Sequence, residues 1–470
     1  MALTDIDTVV LVMMENRSFD HVLGHLRFDN LIPAVDGLKP PRKQAAYENM
    51  FENDVYYPWK DEDRSLAFDP PHEWDAVATQ LAKSGQHYRM SGFVKAYYDA
   101  KRQAAVDAGQ TKAQAKKIVP GPTVECMSFL DAHEVPMSSF LAQNYAVCHR
   151  WFACLPTSTQ PNRTMAWCGD TPIADTKTRT IPSPTTILDW LDAHVRWRVY
   201  HDGLSFFALY PTAWHHVLGD KFRGFEHLLN DFVSEPNNSF PQVLIVEPSY
   251  ASAPHIGSDR PNDNHPPVSM GFGEEFLRDV YDAVTANPAR WAKTVMIIFY
   301  DEHGGFFDHV EPPQIPYTVR DNGQVVREFK SLGIRVPAIV VSPFAPLGGV
   351  IDDTMDHTSV LQLLAERFTP GQPYSATVEQ RRQAGISSAA AALTLQAPRP
   401  VIPKSPMFAI PAATTLDTRG AVRDDMQGAF EKAALDLIQN SDPDDVARQL
   451  PDLIHWKVAI ANAPGRTPIA

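Results

Sequence analysis

The chain has 470 residues, of which 44% are hydrophobic and 21% are charged, as is typical of a globular protein with a large buried core. Its formal net charge of −14 argues against binding of nucleic acid or of an anionic membrane through the overall field. An anionic substrate would therefore be held by a bound metal or by a few local cations.

The cysteines Cys126, Cys148, Cys154 and Cys168 contain no C-x-x-C pair, which argues against a zinc ribbon, and they are too sparse for a disulfide-dependent scaffold. Cys148 and Cys154 could pair or remain free thiols. The sequence has no apolar run of the roughly 18 residues that span a bilayer, so we expect no integral membrane segment.

The N-terminus starts with an acidic stretch, T-D-I-D at residues 4–7, and lacks the basic region and cleavage site of a secretory signal. We therefore expect a cytoplasmic protein, or a secreted or periplasmic one whose signal has been removed.

Four short apolar runs rich in β-branched residues predict buried parallel strands, at residues 8–14, 242–246, 293–300 and 336–341. Helical patterns lie between and after them, at residues 187–191, 273–286 and 358–368. Asp356 is suited to cap the last of these helices. Strands that alternate with helices predict an α/β fold, with a mostly parallel central sheet and helices on both faces.

We predict a single domain over residues 1–470. Residues from about 36 to 120 are aromatic, charged and without a clear period, and we interpret them as an insertion that covers one end of the sheet. Residues 388–415 are rich in Ala and Pro, as in a linker on the surface, and residues 419–439 have the pattern of an amphipathic helix. Together they predict a Pro-rich and helical C-terminal extension over about 388–470.

Acidic residues follow three of the predicted strands at the point where each strand ends. These segments are Glu15-Asn16-Arg17, Glu247-Pro248 and Asp301-Glu302-His303-Gly304-Gly305. Ligands of open parallel sheets bind at the carboxyl ends of the strands, so we expect these side chains to converge on one edge. Carboxylates grouped with an asparagine, a hydroxyl and histidines suit a hard or borderline divalent cation. Glu15 alone could equally be a charge that caps a strand end.

A cluster of hydroxyls, Thr157, Ser158 and Thr159, lies in a Pro-rich turn that leads to Arg163. A hydroxyl beside a metal loses its proton more easily and becomes a nucleophile. Arg163 could hold two phosphate oxygens with its planar guanidinium. Taken alone, the segment fits an ordinary turn with side-chain capping better.

The chain contains 17 histidines, so coincidence is a serious alternative for any one of them. Those close to the segments above or to other strand ends are His72, His201, His265, His303, His309 and His357. A histidine can protonate a leaving alcohol or bind a phosphate oxygen. For any single one, a surface or packing role is the simpler interpretation.

Six sequence blocks occur in a fixed order over about residues 9–368. They read E-N-R-S-F-D at 15–20, T-Q-P-N-R at 159–163, N-D-N-H-P-P at 262–267, D-E-H-G-G-F-F-D-H-V at 301–310, R-V-P through S-P at 335–343, and D-H-T-S-V at 356–360. In this order the blocks resemble the bacterial and fungal phospholipase C / acid phosphatase family of phosphoesterases. The resemblance does not extend beyond Phe368.

The resemblance implies an alkaline-phosphatase-like core with one divalent metal, which could be calcium, zinc, manganese or iron. The implied ligands are Glu15, Asn16, Thr159 and Asp301, with Glu302 as a direct or indirect one. Thr159 would also be the nucleophile. Thr157 and Ser158 offer competing hydroxyls, and the spacing to Pro161-Asn162-Arg163 favours Thr159.

The resemblance also implies that histidines line the phosphate pocket, and the matching positions are His72, His201 and His265. The match at His201 is the weakest, because no long motif surrounds it. We further expect Arg163, Asn162 and His303 to contact the substrate.

The predicted function is metal-dependent hydrolysis of phosphoric esters, of the acid phosphatase or phospholipase C type, through a covalent phospho-threonine. The substrate would be a small phosphomonoester or a phospholipid head group, and the oligomeric state is left open.

Three alternatives remain. A sulfatase or mutase could share the fold, but a sulfatase needs Cys or Ser where Thr159 stands. A non-catalytic binding protein would be expected to lack ligands or nucleophile. A metal-free hydrolase is disfavoured because the sequence has no G-x-S-x-G motif.

Overall fold

A computed structural model of the protein describes residues 2–62, 68–182, 185–253, 260–409, 425–451 and 453. The strands in these residues are β1 Thr8–Met14, β2 Asn49–Phe51, β3 Asp54–Tyr56, β4 Trp59–Lys60, β5 Lys83–Ser84, β6 His87–Tyr88, β7 Ser128–Phe129, β8 Ala146–Val147, β9 Trp197–His201, β10 Phe222–Gly224, β11 Val243–Val246, β12 Thr294–Tyr300, β13 Tyr317–Asp321, β14 Gln324–Phe329, β15 Ala338–Val341 and β16 Gly349–Val350.

The α-helices in the same residues are α1 Phe19–Leu23, α2 His25–Phe28, α3 Trp74–Leu81, α4 Phe93–Asp107, α5 Lys112–Ala115, α6 Pro136–Asn144, α7 Thr159–Cys168, α8 Ile187–His194, α9 Trp214–Val217, α10 Leu228–Ser234, α11 Met270–Thr285, α12 Pro288–Trp291, α13 Thr358–Phe368, α14 Ala376–Gln383, α15 Asp425–Asn440 and α16 Pro443–Gln449. None of these helices is both long and apolar enough to cross a bilayer.

The central sheet has eight strands in the order β10-β9-β11-β1-β12-β15-β8-β16. The strands from β10 to β12 pair in parallel, whereas β15 runs antiparallel to both β12 and β8. The predicted α/β fold with a mostly parallel sheet is therefore confirmed. The interpretation of residues 336–341 as a further parallel strand is wrong, because an apolar run indicates burial and not strand direction.

The two strands β1 and β12 bring the segments that follow them to the same place. All seven residues of each strand are buried, and the pairing runs in register from Thr8 with Thr294 to Met14 with Tyr300. Both strands are apolar and β-branched, so the hydrophobic effect fixes them at the centre of the core. As a result, Glu15 and Asp301 leave the sheet side by side.

The three predicted helices are present as α8, α11 and α13, with boundaries that move by a few residues at two of them. The carboxylate of Asp356 accepts hydrogen bonds from the backbone N–H of Thr358 (2.7 Å) and from its hydroxyl (2.6 Å), although His357 is the residue directly before the helix. Helix α7 was not predicted, because Pro161 suggested a turn. A proline is tolerated in the first turn of a helix, where no N–H is needed.

The region 36–120 is more regular than the sequence indicated. It contains α3, α4 and α5 and two short hairpins, β2–β3 and β5–β6. Its apolar and aromatic residues form a second hydrophobic cluster, which includes Val77, Phe93 and Tyr97. The aromatic residues that obscured the helical period in the sequence are the ones that build this cluster.

The main hydrophobic cluster contains buried residues from Ile6 to Leu453, including several of α15. On this basis we propose that the chain forms one domain. The predicted linker contains a short 3-10 helix, Ala389–Ala392, and residues 410–415 lie outside the described part. The helix predicted at 419–439 corresponds to α15, and residues 419–424 also lie outside the described part. All four cysteines are free thiols.

A buried ion-pair network joins three of the six sequence blocks. The guanidinium of Arg335 lies 2.9 Å from Asp308 Oδ1 and 3.3 Å from Asp20 Oδ1. Asp20 Oδ2 lies 2.6 Å from Nδ1 of His309. Burial lowers the pKa of His309, but the Asp20 carboxylate and the contact with Asp36 outweigh it and raise the pKa to about 9. His309 is therefore a cation at neutral pH and helps to balance the two aspartates.

We expect a pH-dependent loss of stability in the variant His309→Gln. Because the folded pKa of about 9 lies above the unfolded value of 6.5, the stabilisation is fully present below pH 6.5 and is lost as the pH rises through 9. The variant should be less stable than the wild type by roughly 3 kcal/mol at pH 6 and by much less at pH 10. Urea unfolding at pH 6, 8 and 10 measures this difference.

The exposed His87, paired with Glu311, provides the matched control His87→Gln. A stability difference for His309→Gln that stays constant from pH 6 to 10 would contradict the assignment of a charged His309.

Candidate active site

The predicted metal ligands come together at the carboxyl ends of β1 and β12. The backbone N–H of Asn16 donates to Asp301 Oδ1 at 3.0 Å, and the hydroxyl of Thr159 lies 3.4 Å from Asn16 Oδ1. Thr159 reaches this position as the first residue of α7. All three residues, together with Glu15 and Glu302, are buried. The structure thus brings the five predicted ligands to one edge of the sheet.

Two unusual backbone conformations shape this edge. Asn16 has a φ of 56° and Gly304 has a φ of 60°, both in the left-handed region. Asn is among the few residues with a side chain that adopt this region readily. A Cβ atom at Gly304 would collide with the backbone of Asn16, so glycine is required for the two loops to approach each other.

Buried negative charge is concentrated in this group. Both carboxylate oxygens of Glu15, and Oε1 of Glu302, are buried without a hydrogen bond of acceptable geometry among the described residues. Burial and the neighbouring Asp301 carboxylate raise the pKa of Glu15, while Arg163 opposes the rise. Burial and the nearby Glu15 also raise the pKa of Asp263 to about 8. Uncompensated buried carboxylates are costly, which is the condition that a bound cation relieves.

The donor set therefore fits a divalent cation. Carboxylate oxygens from Glu15, Asp301 and Glu302 stand beside the amide of Asn16 and the hydroxyl of Thr159, and oxygen donors of these kinds suit hard cations. A second group, Asp69, His72 and His265, has ligand atoms within 4.8 Å of one another and could also hold a cation.

Arg163 supports the acids and does not face the pocket. Its Nε donates to Asp301 Oδ2 at 3.0 Å, its Nη1 donates to the hydroxyl of Tyr250 at 3.0 Å, and its Nη2 lies 3.2 Å from Glu15 Oε1. The guanidinium is fully buried between the rings of Phe206 and Tyr250. The expectation that Arg163 contacts the substrate is corrected, because its donors are used within the protein.

Asn162 and His303 are likewise committed to the protein. The side chain of Asn162 bonds to the backbone of Leu155, Thr157 and Ser158 and so fixes the loop before α7. His303 lies 3.3 Å from Glu302 Oε2 through Nδ1 and 2.8 Å from Gln80 Oε1 through Nε2. The structure therefore corrects both predicted substrate contacts. In the motif, these two residues fix the geometry of the loops. The spacing of residues in a sequence does not distinguish this role from substrate binding.

The three neighbouring hydroxyls have different surroundings. Thr157 donates to the carbonyl of Ala174 at 2.8 Å, and Ser158 donates to Glu73 Oε2 at 2.8 Å. Of the three, Thr159 is the one that lies beside the predicted metal ligands. It also stands at the N-terminus of α7, where the helix dipole stabilises negative charge. The surroundings favour the same hydroxyl as the spacing to Arg163 did.

His72 and His265 line the cavity next to Thr159. Their Nδ1 atoms lie 2.8 Å from the carbonyl of Pro70 and 2.5 Å from that of Pro266, respectively, which favours a proton on Nδ1. Nε2 of His72 lies 3.3 Å from Nδ2 of Asn16 and 4.0 Å from Oε1 of Glu302, and Nε2 of His265 lies 4.0 Å from Oδ2 of Asp69. Burial lowers the pKa of His72, but Glu302, Asp69 and Glu73 outweigh it and raise the pKa to about 10.

His201 does not join this group. It ends β9, which is separated from β1 by β11, and it lines a different cavity of about 560 Å³ together with Arg198, Arg223 and Arg448. Its Nδ1 lies 2.7 Å from the carbonyl of Gly203. The sequence placed His201 correctly at a strand end, but the strand order decides which strand ends are neighbours. The predicted role of His201 in the phosphate pocket is corrected.

The cavity at Thr159 has a volume of about 640 Å³ and is built from three parts of the chain. One wall comes from residues 69–103, one from α7 with Thr176 and His265, and one from Asp425 and Met426 of α15. Its lining residues in the described chain include five carboxylates and no Lys or Arg. These acids are Asp69, Glu73, Asp75, Asp99 and Asp425.

Sequence reasoning missed several residues of this site. Glu73 and Met426 lie in segments without a recognisable motif, and Tyr250 carries no signal of its own in the sequence. Asp263 stands within the N-D-N-H-P-P block and could have been noticed as a fourth acid. Glu247 follows β11 as expected, yet its Oε1 accepts hydrogen bonds from the backbone of Phe206 and the hydroxyl of Tyr250, so it stands behind Arg163.

Comparisons with known proteins agree with the motif order. Residues 6–369 match the model of the Phosphoesterase family. A non-specific phospholipase C3 of Arabidopsis thaliana is 29% identical over 77% of this chain and 69% of its own length. A hemolytic phospholipase C of Pseudomonas aeruginosa is 29% identical over 77% of this chain and 53% of its own. The chain thus spans about half to two thirds of the length of these relatives.

Among solved structures, a protein in the alkaline phosphatase superfamily from Vibrio parahaemolyticus is 12% identical with a TM-score of 0.29, over 50% of this chain and 60% of that chain. The fold class stated above rests on the strand order and pairing of the sheet.

Proposed function

The chain belongs to the phosphoesterase family, and from this premise we propose that it hydrolyses phosphoric esters with the help of a divalent metal and through a phosphorylated Thr159. The observation that carries the proposal is the hydroxyl of Thr159 at the N-terminus of α7, 3.4 Å from Asn16 Oδ1 and beside the buried acids Glu15 and Asp301.

The cation would be held by oxygens of Glu15, Asn16, Asp301 and Thr159, with Glu302 completing the set. Bound there, a divalent cation would lower the pKa of the Thr159 hydroxyl and offset the charge of the phosphoryl oxygens. The oxygen donors favour calcium or manganese, and the nearby His72 would admit zinc or iron.

The residues of the chain supply the remaining steps. The hydroxyl of Thr159 loses its proton to water in the cavity, and its oxygen forms a bond to phosphorus while the bond from phosphorus to the leaving alcohol breaks. His72 or His265, which both line the cavity, gives a proton to that alcohol. Water then attacks the phospho-threonine and restores the hydroxyl with release of the phosphate product. Two displacements of this kind replace one difficult displacement by water.

The charge of the cavity supports one class of substrate. The five acidic side chains of the wall outnumber the cationic imidazole of His72, even though burial raises the pKa of Glu73 to about 7. A phosphomonoester carries up to two negative charges and would be repelled by this wall more strongly than a diester, which carries one. An alcohol portion with a positive charge would be attracted by the same carboxylates. We therefore propose a phosphodiester with a cationic alcohol portion, such as a zwitterionic phospholipid head group, as the preferred substrate. The relatives named phospholipase C support this choice.

We expect Thr159→Ala to reduce the hydrolysis of a nitrophenyl phosphodiester on the order of 10³-fold or more, since it removes the attacking oxygen. Thr159→Ser should keep part of the activity. Acid quenching during turnover, followed by mass spectrometry, should find phosphate on Thr159 of the wild type. The control Thr157→Ala removes a neighbouring hydroxyl that bonds to Ala174 and should leave the phosphorylation in place. A Thr159→Ala protein with a nearly full rate would disprove the nucleophile.

Metal content should depend on Glu15 and Asp301. Elemental analysis of the wild type should find about one divalent ion per chain, and Glu15→Gln and Asp301→Asn should each weaken its retention by at least about tenfold, since each loses a charged ligand. Glu247→Gln is the matched control, because Glu247 is also a buried acid at a strand end but bonds to Phe206 and Tyr250 instead. Full activity after removal of all metal would contradict the proposal and favour a metal-free hydrolase.

The charge of the wall should set the preference between substrates. Neutralising the exposed wall residue Asp75 as Asp75→Asn should lower kcat/KM for nitrophenyl phosphorylcholine by about two- to fivefold and raise it for nitrophenyl phosphate, as expected for an exposed charge pair. The effect should shrink at high salt. Asp54→Asn, which changes an exposed aspartate outside the cavity, is the control. Equal changes for both substrates would argue against the substrate charge proposed here.

A further inference from the structure

Helix α15 lies beyond residues 6–369, which match the family, yet it packs against the candidate active site. The ring of Phe430 lies 5.6 Å from that of Tyr250 and 6.2 Å from that of Phe206, measured between ring centres. Phe430 is fully buried. The helix is therefore part of the core behind the site and not a peripheral extension.

The contact continues to the predicted metal ligands. The rings of Phe206 and Tyr250 stand 5.1 and 5.0 Å from the guanidinium carbon of Arg163. Arg163 in turn holds Asp301 at 3.0 Å and Glu15 at 3.2 Å. One row of packed side chains thus joins α15 to the two acids.

The start of the helix is fixed on the segment that follows α7. Asp425 Oδ1 accepts hydrogen bonds from the backbone N–H of Thr178 at 3.0 Å and from its hydroxyl at 2.8 Å. A Cβ atom at Gly428 would collide with the side chain of Thr178, so the helix needs glycine for this close approach. These contacts decide where the next residue, Met426, points.

Met426 lines the same cavity as Thr159. Its side chain is buried, and its sulfur lies 3.8 Å from Nε2 of Gln160, the residue after the proposed nucleophile. Methionine is flexible and polarizable and makes adaptable contacts with apolar groups. A thioether at this position can contact the alkyl part of an ester whose phosphorus faces Thr159.

We propose that α15 completes the substrate pocket and that Met426 is a specificity-determining residue for the alkyl portion of the ester. This inference rests on the proposed function. According to this inference, the wall that contacts the alcohol portion of the substrate belongs to a segment outside the residues that match the family. Asp425 acts as a positioning residue, since it fixes the helix start through Thr178.

The test compares Met426→Ala, Met426→Leu and the control Lys432→Ala, which lies on the same helix and pairs with Asp436. Met426→Ala should raise KM for nitrophenyl phosphorylcholine by about fivefold, as expected for the loss of a few buried methylene contacts. Its kcat should stay within about twofold of the wild type, because Met426 touches no reacting atom. Met426→Leu should restore KM, and Lys432→Ala should match the wild type.

The inference would be overturned if KM of Met426→Ala and of Met426→Leu stayed unchanged for every nitrophenyl ester that the wild type hydrolyses. It would also be overturned if Lys432→Ala raised KM as much as Met426→Ala. Failure of the proposed function has a different signature, namely a wild type that hydrolyses no phosphoric ester or a Thr159→Ala variant with full rate. Thermal unfolding of each variant shows that the compared proteins are folded.

Discussion

The buried guanidinium of Arg163 holds the carboxylates of Glu15 and Asp301 at the ends of two strands paired in register. The guanidinium of Arg163 and the imidazole of His72 stand among several buried acids, and the acidic groups outnumber these two cations at the edge of the sheet. A buried carboxylate is tolerated in a folded protein when a cation neutralises it or when it takes up a proton, as the raised pKa values of Glu15 and Asp263 indicate. This imbalance is the physical reason for proposing a divalent cation beside Thr159.

The remaining parts of the molecule fix this centre from different sides. Gly304 and Asn16 let two loops meet, and the network of Arg335, Asp20 and His309 ties together the segments that follow β1 and β12. Residues 69–103 and α15 close the cavity around Thr159 from outside the sheet. The candidate active-site edge thus lies within the residues that match the family, whereas one wall of the pocket comes from a helix that the family match does not include.

The sequence predicted the parts of the site that depend on order along the chain. The convergence of Glu15 with Asp301 at the strand ends needed only the rule that parallel strands end at one edge, whereas the choice of Thr159 by its spacing to Arg163 came from the family resemblance. The sequence analysis failed where the direction of a side chain, or the order of the strands in the sheet, decides which residues lie together. Arg163 faces inward to the acids, and His201 is separated from β1 by an intervening strand. Met426 could not be found, because contact over more than 250 residues of sequence leaves no local pattern.

The most direct test of the central claim is anomalous X-ray diffraction from crystals grown with manganese or zinc. The account predicts one strong anomalous peak within about 2.0–2.6 Å of oxygens of Glu15, Asn16 and Asp301, in contact with the hydroxyl of Thr159. A peak confined to Asp69, His72 and His265, or no bound metal in an active protein, would contradict it.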